Sequence, residues 1–118
     1  AIASRKAENV EKLYAKDAVL LATFGATPFE TPAERGEYFR TLLAKPGLAV
    51  KVTEQHTRLL DPDTAVTSGL YTFSYRDGSR TRAVPARYSF VFEKTGGAWM
   101  IVDHHSSLVP AQAKKVPS

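Results

Sequence analysis

Three histidines, five tyrosines and a scatter of arginines carry most of the chemistry available to this chain. Two of the histidines are adjacent, in Trp99-Met100-Ile101-Val102-Asp103-His104-His105-Ser106-Ser107-Leu108. A run so rich in β-branched and aromatic residues reads as a strand, and side chains alternate across a strand with period two. Met100, Val102, His104 and Ser106 then share one face, while Trp99, Ile101, Asp103, His105 and Ser107 share the other. His104 is the first candidate for chemistry, because a neutral imidazole offers one donor and one acceptor and titrates near physiological pH. His105 falls on the face that carries an indole and an isoleucine. An apolar patch of that kind marks an association surface, so Trp99, Ile101 and His105 are expected at an interface.

Further upstream, Tyr71, Phe73 and Tyr75 occupy one face of another strand, where phenolic hydroxyls favour a wet cavity over a dry core. Tyr88 or Arg87 is expected to meet them from the next strand, and Arg87 is the candidate for holding a carboxylate, its planar fork suited to two oxygens. His56 and Arg58 share parity with Leu60 on a third strand. No metal site is expected, since the adjacent histidines diverge and His56 stands apart. The chain has no cysteine for a disulfide or thiolate site. It also lacks a nucleophile elbow, a phosphate-cradling glycine loop and a dinucleotide fingerprint, and no cofactor is expected.

The elements that must position these residues are legible in order. Ala1 to Ala15 is expected to be helical, Ala-rich with Val10, Leu13 and Tyr14 at three-to-four spacing. Ala18 to Thr23 reads as a short buried strand. Thr31 is an N-cap with Pro32 at the first helical position and Glu34 as capping-box partner, and the helix runs from Ala33 to Ala44. Its apolar face is Tyr38, Phe39, Leu42 and Leu43, and Lys45-Pro46-Gly47 stops it. Strands are expected over Leu48 to Leu60, Thr64 to Arg76, Arg82 to Glu93 and the final run, with turns at Asp61-Pro62-Asp63, Asp77-Gly78 and Gly96-Gly97. Pro110 should end the last strand. Helix, strand, helix and four antiparallel strands make an α+β fold, a curved sheet covered by helices on one face and enclosing a pocket.

The chain has 118 residues, 43% of them apolar and 24% charged, with a formal net charge of +4. That is one domain with a real core and a polar tail over 111–118. The basic residues are dispersed rather than massed, which argues against nucleic acid as a partner. No apolar run approaches the ~20 residues needed to cross a bilayer, and no signal peptide is expected within the chain. A soluble protein follows, cytoplasmic or exported after removal of a leader.

The segment Arg87 to Pro110 closely resembles the last hairpin of the calcium/calmodulin-dependent protein kinase II association domain, in particular its stand-alone bacterial relatives. Leu13-Tyr14-Ala15-Lys16-Asp17-Ala18-Val19, Glu37-Tyr38-Phe39 and Asp63 to Phe73 extend the resemblance over roughly 10–110. It implies the cone-shaped nuclear transport factor 2-like (cystatin-like) fold, self-association through the outer sheet face, and a polar pocket inside the cone. It places His104 and Ser106 toward the interior, with His56 and Arg58 at the pocket wall. Three departures stand out. Only about a dozen residues precede the Leu-Tyr-Ala phrase, where members of the family carry a long first helix that caps the cone. Ser106 and Tyr71 stand where the kinase hub has arginines. The function implied is a non-catalytic homo-oligomerising domain with an internal pocket for a small polar or carboxylate ligand. The alternative is a SnoaL-like isomerase, dehydratase or cyclase, with His104 as general base and Tyr71 or Tyr75 donating to an oxyanion. A kinase is excluded, because the chain has neither its glycine loop nor its catalytic loop.

Overall fold

A computed structural model of the chain describes residues 6–110. Within them α1 (Ala7–Glu11) leads into β1 (Tyr14–Leu21), and α2 (Pro32–Leu43) follows. The rest is strand: β2 (Ala49–Asp61), β3 (Thr64–Asp77), β4 (Arg80–Thr95) and β5 (Ala98–Leu108). All five strands form one sheet in the order β1-β5-β4-β3-β2. The strands β2 to β5 pair antiparallel with their chain neighbours, but β1 pairs parallel with β5. The sheet is therefore mixed, and the fold is α+β.

Local chemistry accounts for most boundaries. Thr31 Oγ1 accepts a hydrogen bond from the Glu34 backbone N–H at 3.2 Å, capping α2 as its sequence predicts. The Glu34 carboxylate reaches one residue further back than a capping box requires and accepts from the Glu30 N–H at 2.9 Å. Gly96 and Gly97 have φ of 57° and 84°, the left-handed pair that matches a two-residue turn to the twist of a hairpin. The strand β5 stops at Leu108, short of Pro110, again as expected.

The first helix differs from its sequence reading. It ends at Glu11, and Tyr14 already belongs to β1. The Leu13 carbonyl accepts from the Ile101 N–H at 2.9 Å, so pairing with β5 overrides the local preference for helix. Residues 1–5 and the expected tail over 111–118 lie outside the described residues.

Two register irregularities along β5 shape the interior. Along β1, Tyr14 is opposite Ile101 but Val19 is already opposite Asp103, so the intervening residues have no regular partners on β5. Arg35 of α2 supplies partners for three of them. Its guanidinium donates to the carbonyls of Ala15 at 3.0 Å, Lys16 at 3.1 Å and Ala18, and pairs with the Glu11 carboxylate at 2.9 Å. Arg35 is wholly buried, a position an arginine occupies only when fully paired. The second irregularity lies between β4 and β5, where Val91 faces Asp103 but Phe92 faces Ile101. Val102 is the extra residue, a β-bulge that shifts the alternation by one.

Candidate ligand pocket

That bulge decides which side chains look inward. Ile101 lies before it and His104 and Ser106 after it, so all three end on the same face. All three are buried, and all three border a cavity of about 260 Å³ between the sheet and the helices. Ile101 is thus a cavity wall and not an outer-face interface residue, correcting its assignment from simple alternation. Trp99 alternates with Ile101 and so also leaves the outer face; it sits beyond the cavity and is 42% exposed. Of the three expected interface residues only His105 lies on the outer face, where it is exposed.

The cavity is mostly apolar, with α1, α2 and the sheet contributing Val10, Phe39, Leu42, Val50 and Phe73. Five polar side chains cross it in one connected series. The Tyr14 hydroxyl lies 2.7 Å from His104 Nδ1, and the Tyr71 hydroxyl lies 3.3 Å from His104 Nε2. Tyr71 donates to Ser106 Oγ at 2.6 Å, and Ser106 bonds Thr23 Oγ1. Phe90, directly across from His104 on β4, stacks on the imidazole at a centroid distance of 3.9 Å and 18° between planes. Among the described residues no buried side-chain nitrogen or oxygen lacks a partner.

Burial sets the ionisation of these groups. It holds the His104 pKa down at about 3, with the neighbouring His105 a smaller contribution in the same direction. It pushes Tyr71 up to about 12, against the opposing hydrogen bond from Ser106, and raises Tyr14 well beyond the ordinary phenol range. Every polar group of the series is therefore neutral at pH 7.

A pH dependence follows. The unfolded chain binds a proton at His104 near its ordinary 6.5, while the folded chain binds none until about 3. Stability from this group is complete above pH 6.5 and falls as the pH drops toward 3, with a limiting slope of about 1.4 kcal/mol per pH unit. Thermal melts from pH 7 to 4 should show a steeper decline for the wild type than for His104→Gln. Parallel curves would contradict the assignment.

Of the other expected pocket residues, Tyr75 points to the inner side but beyond the cavity, where the Lys45 ammonium lies 4.6 Å from its ring centroid. Arg87, His56 and Arg58 are corrections. The pairing rows His56-Ser68-Ser89-His105 and Arg58-Val66-Val91-Asp103 run across the outer face, and Arg87 pairs with Leu70 and Ser107 there. All three side chains are exposed, so the pocket-wall position that the resemblance implies for His56 and Arg58 does not hold here, and Arg87 falls on the outward parity of β4. His56 bonds Glu54, at 2.7 Å.

Tyr14, Thr23 and Phe90 belong to the cavity and were not singled out by their sequence context. Tyr14 sits in a stretch with helical spacing, which hid its place on a strand. Phe90 could have been found by pairing it with His104 across the Gly96-Gly97 turn. Among the described residues no group of three or more histidines, cysteines or carboxylates comes together to hold a metal ion. No helix among them is long and apolar enough to cross a membrane.

Comparison with known proteins places this architecture. No curated protein matches the chain. Among solved structures, a candidate calcium/calmodulin-dependent protein kinase II association domain from Xanthomonas campestris is similar at 38% identity and a TM-score of 0.88, over 94% of this chain and 79% of that one. The hub homology domain of the Chlamydomonas reinhardtii kinase shares the fold at 22% identity and a TM-score of 0.76, covering 93% and 88%. So does a candidate dehydratase of the nuclear transport factor 2-like family from Streptomyces avermitilis, at 16% and 0.81, covering 94% and 88%. The fold is thus the nuclear transport factor 2-like, cystatin-like one. The family model for the calcium/calmodulin-dependent protein kinase II association domain matches residues 1–110, and the chain belongs to that family.

Proposed function

We propose that this chain is a self-associating domain whose cavity binds a small molecule without transforming it. The observation that carries the pocket is the series Tyr14-His104-Tyr71-Ser106-Thr23 set into an apolar cavity of about 260 Å³. A few convergent polar groups in an otherwise apolar concavity are the usual form of a ligand site. Binding is favoured over catalysis because both nitrogens of His104 already have phenol partners and its pKa lies at about 3. A base so far below the working pH has little driving force to take a proton.

Self-association is supported by family membership and by the outer sheet face. Leu70, Val66 and Val91 are only partly covered there, beside His105 and Arg87. Native mass spectrometry, reporting copy number and any retained small molecule together, is the direct test. An oligomer is expected, and Leu70→Lys should raise its dissociation constant at least about tenfold, roughly 1.4 kcal/mol. A wild-type monomer at high concentration would overturn the assembly role.

A further inference from the structure

The polar side of the cavity is built entirely of neutral groups. Five hydroxyls, those of Tyr14, Thr23, Tyr38, Tyr71 and Ser106, and one imidazole make it up, and no lysine, arginine, aspartate or glutamate borders it among the described residues. Arg35 is the guanidinium beside Tyr14, 5.8 Å from the ring centroid, and its N–H groups are committed to Glu11 and three carbonyls. Arg87 and Arg58 lie on the outer face. An anion entering this cavity would lose its hydration and meet no counter-charge, which is strongly unfavourable.

The hydrogen bonds also run in a defined direction. Tyr71 gives its proton to Ser106 at 2.6 Å, so it has none for His104. The imidazole proton therefore sits on Nε2 and points at the Tyr71 oxygen, which leaves Nδ1 to accept from Tyr14. Tyr14 stands at the head of the series. Its oxygen donates to His104 and accepts no hydrogen bond from the described residues. A ligand that donates a proton to that oxygen completes the series; one that only accepts finds no proton there.

Resting on the pocket reading above, we propose that the cavity takes a neutral, single-ring molecule bearing one hydroxyl group, donated to the Tyr14 oxygen, and rejects the corresponding carboxylate. Its size agrees. A dry protein cavity of ~150 Å³ accommodates benzene, and about 260 Å³ adds room for a short substituent.

Benzyl alcohol, toluene and benzoate share one carbon skeleton and differ in the polar group. Titration calorimetry of the full chain at pH 7.5, with thermal shift in parallel, should rank benzyl alcohol at least tenfold tighter than benzoate. Tyr14→Phe should reduce the preference for benzyl alcohol over toluene by about three- to tenfold, the worth of one hydrogen bond, while toluene still binds. Retained toluene binding shows that the variant is folded with its cavity intact. Benzoate binding as tightly as the alcohol in the wild type would overturn the ligand class and leave the pocket standing. An unchanged alcohol-to-toluene ratio in Tyr14→Phe would overturn the hydroxyl assignment. No binding of any of the three would overturn the pocket reading itself.

Discussion

Replacing Arg35 with methionine should cost about 3–5 kcal/mol of folding stability, the usual penalty for breaking a buried ion pair from one side. Methionine fills much of the same volume, so the loss isolates the polar contacts. The variant leaves the Glu11 carboxylate without its guanidinium and frees the carbonyls of Ala15, Lys16 and Ala18, which Arg35 satisfies where β1 loses its register with β5. Those carbonyls cannot turn to another strand, because the irregularity is what removed their partners. The damage should also spread to the cavity, since Tyr14 begins β1 and holds His104. Urea denaturation gives the stability change, and a loss below about 1 kcal/mol would mean that water replaces the guanidinium at little cost. The double variant Arg35→Met with Glu11→Gln should recover part of the loss, since it removes the stranded charge.

Substituting Gly69 with alanine should be nearly as damaging, at roughly 2–4 kcal/mol, in the range of backbone-strain mutations. A Cβ built there would lie 2.0 Å from the Glu54 carbonyl oxygen and 3.0 Å from the Tyr88 hydroxyl. The first is backbone and cannot swing aside. Gly69 pairs with Gln55, one position past the irregularity in β2 between Val52 and Glu54, and the Tyr88 hydroxyl crosses the space beside it to donate to the Glu54 carbonyl at 3.2 Å. A side chain there forces β2 off the sheet, so hydrogen exchange should accelerate along β2 more than along β5. Gly78→Ala makes the control. Its φ is +65° with nothing near the added atom, so it should cost only about 1 kcal/mol of backbone strain. Equal losses from the two substitutions would show that strain, and not the close approach, dominates at Gly69.

Breaks in strand register also explain which cavity-facing residues the sequence revealed. His104 and Ser106 were assigned together because they are two apart and both follow the Val102 bulge, so their shared parity survives it. Tyr71 and Phe73 were readable for the same reason, since β3 pairs with β4 without a break in register. Ile101 was misplaced because it lies on the other side of the bulge. His56 and Arg58, which the resemblance puts at the pocket wall, lie on the outer face, and the slip near Thr53 means that no count of alternation from Val50 carries along β2. A bulge costs little and has no strong sequence signature, so parity is reliable only between bulges. Arg35 gave no signal at all; in a helix rich in Glu and Arg it reads as one more exposed charge.

By itself, the sequence determined the turns, the cap of α2, the approximate limits of β2 to β5 and the family, because glycines with positive φ, an N-cap threonine and a terminal proline act over a few residues. Only the tertiary structure decided that β1 pairs parallel to β5, that Tyr14 reaches His104, and that the arginines stay outside the cavity. Those outcomes depend on register between segments up to 90 positions apart, where one inserted residue exchanges the inner and outer faces.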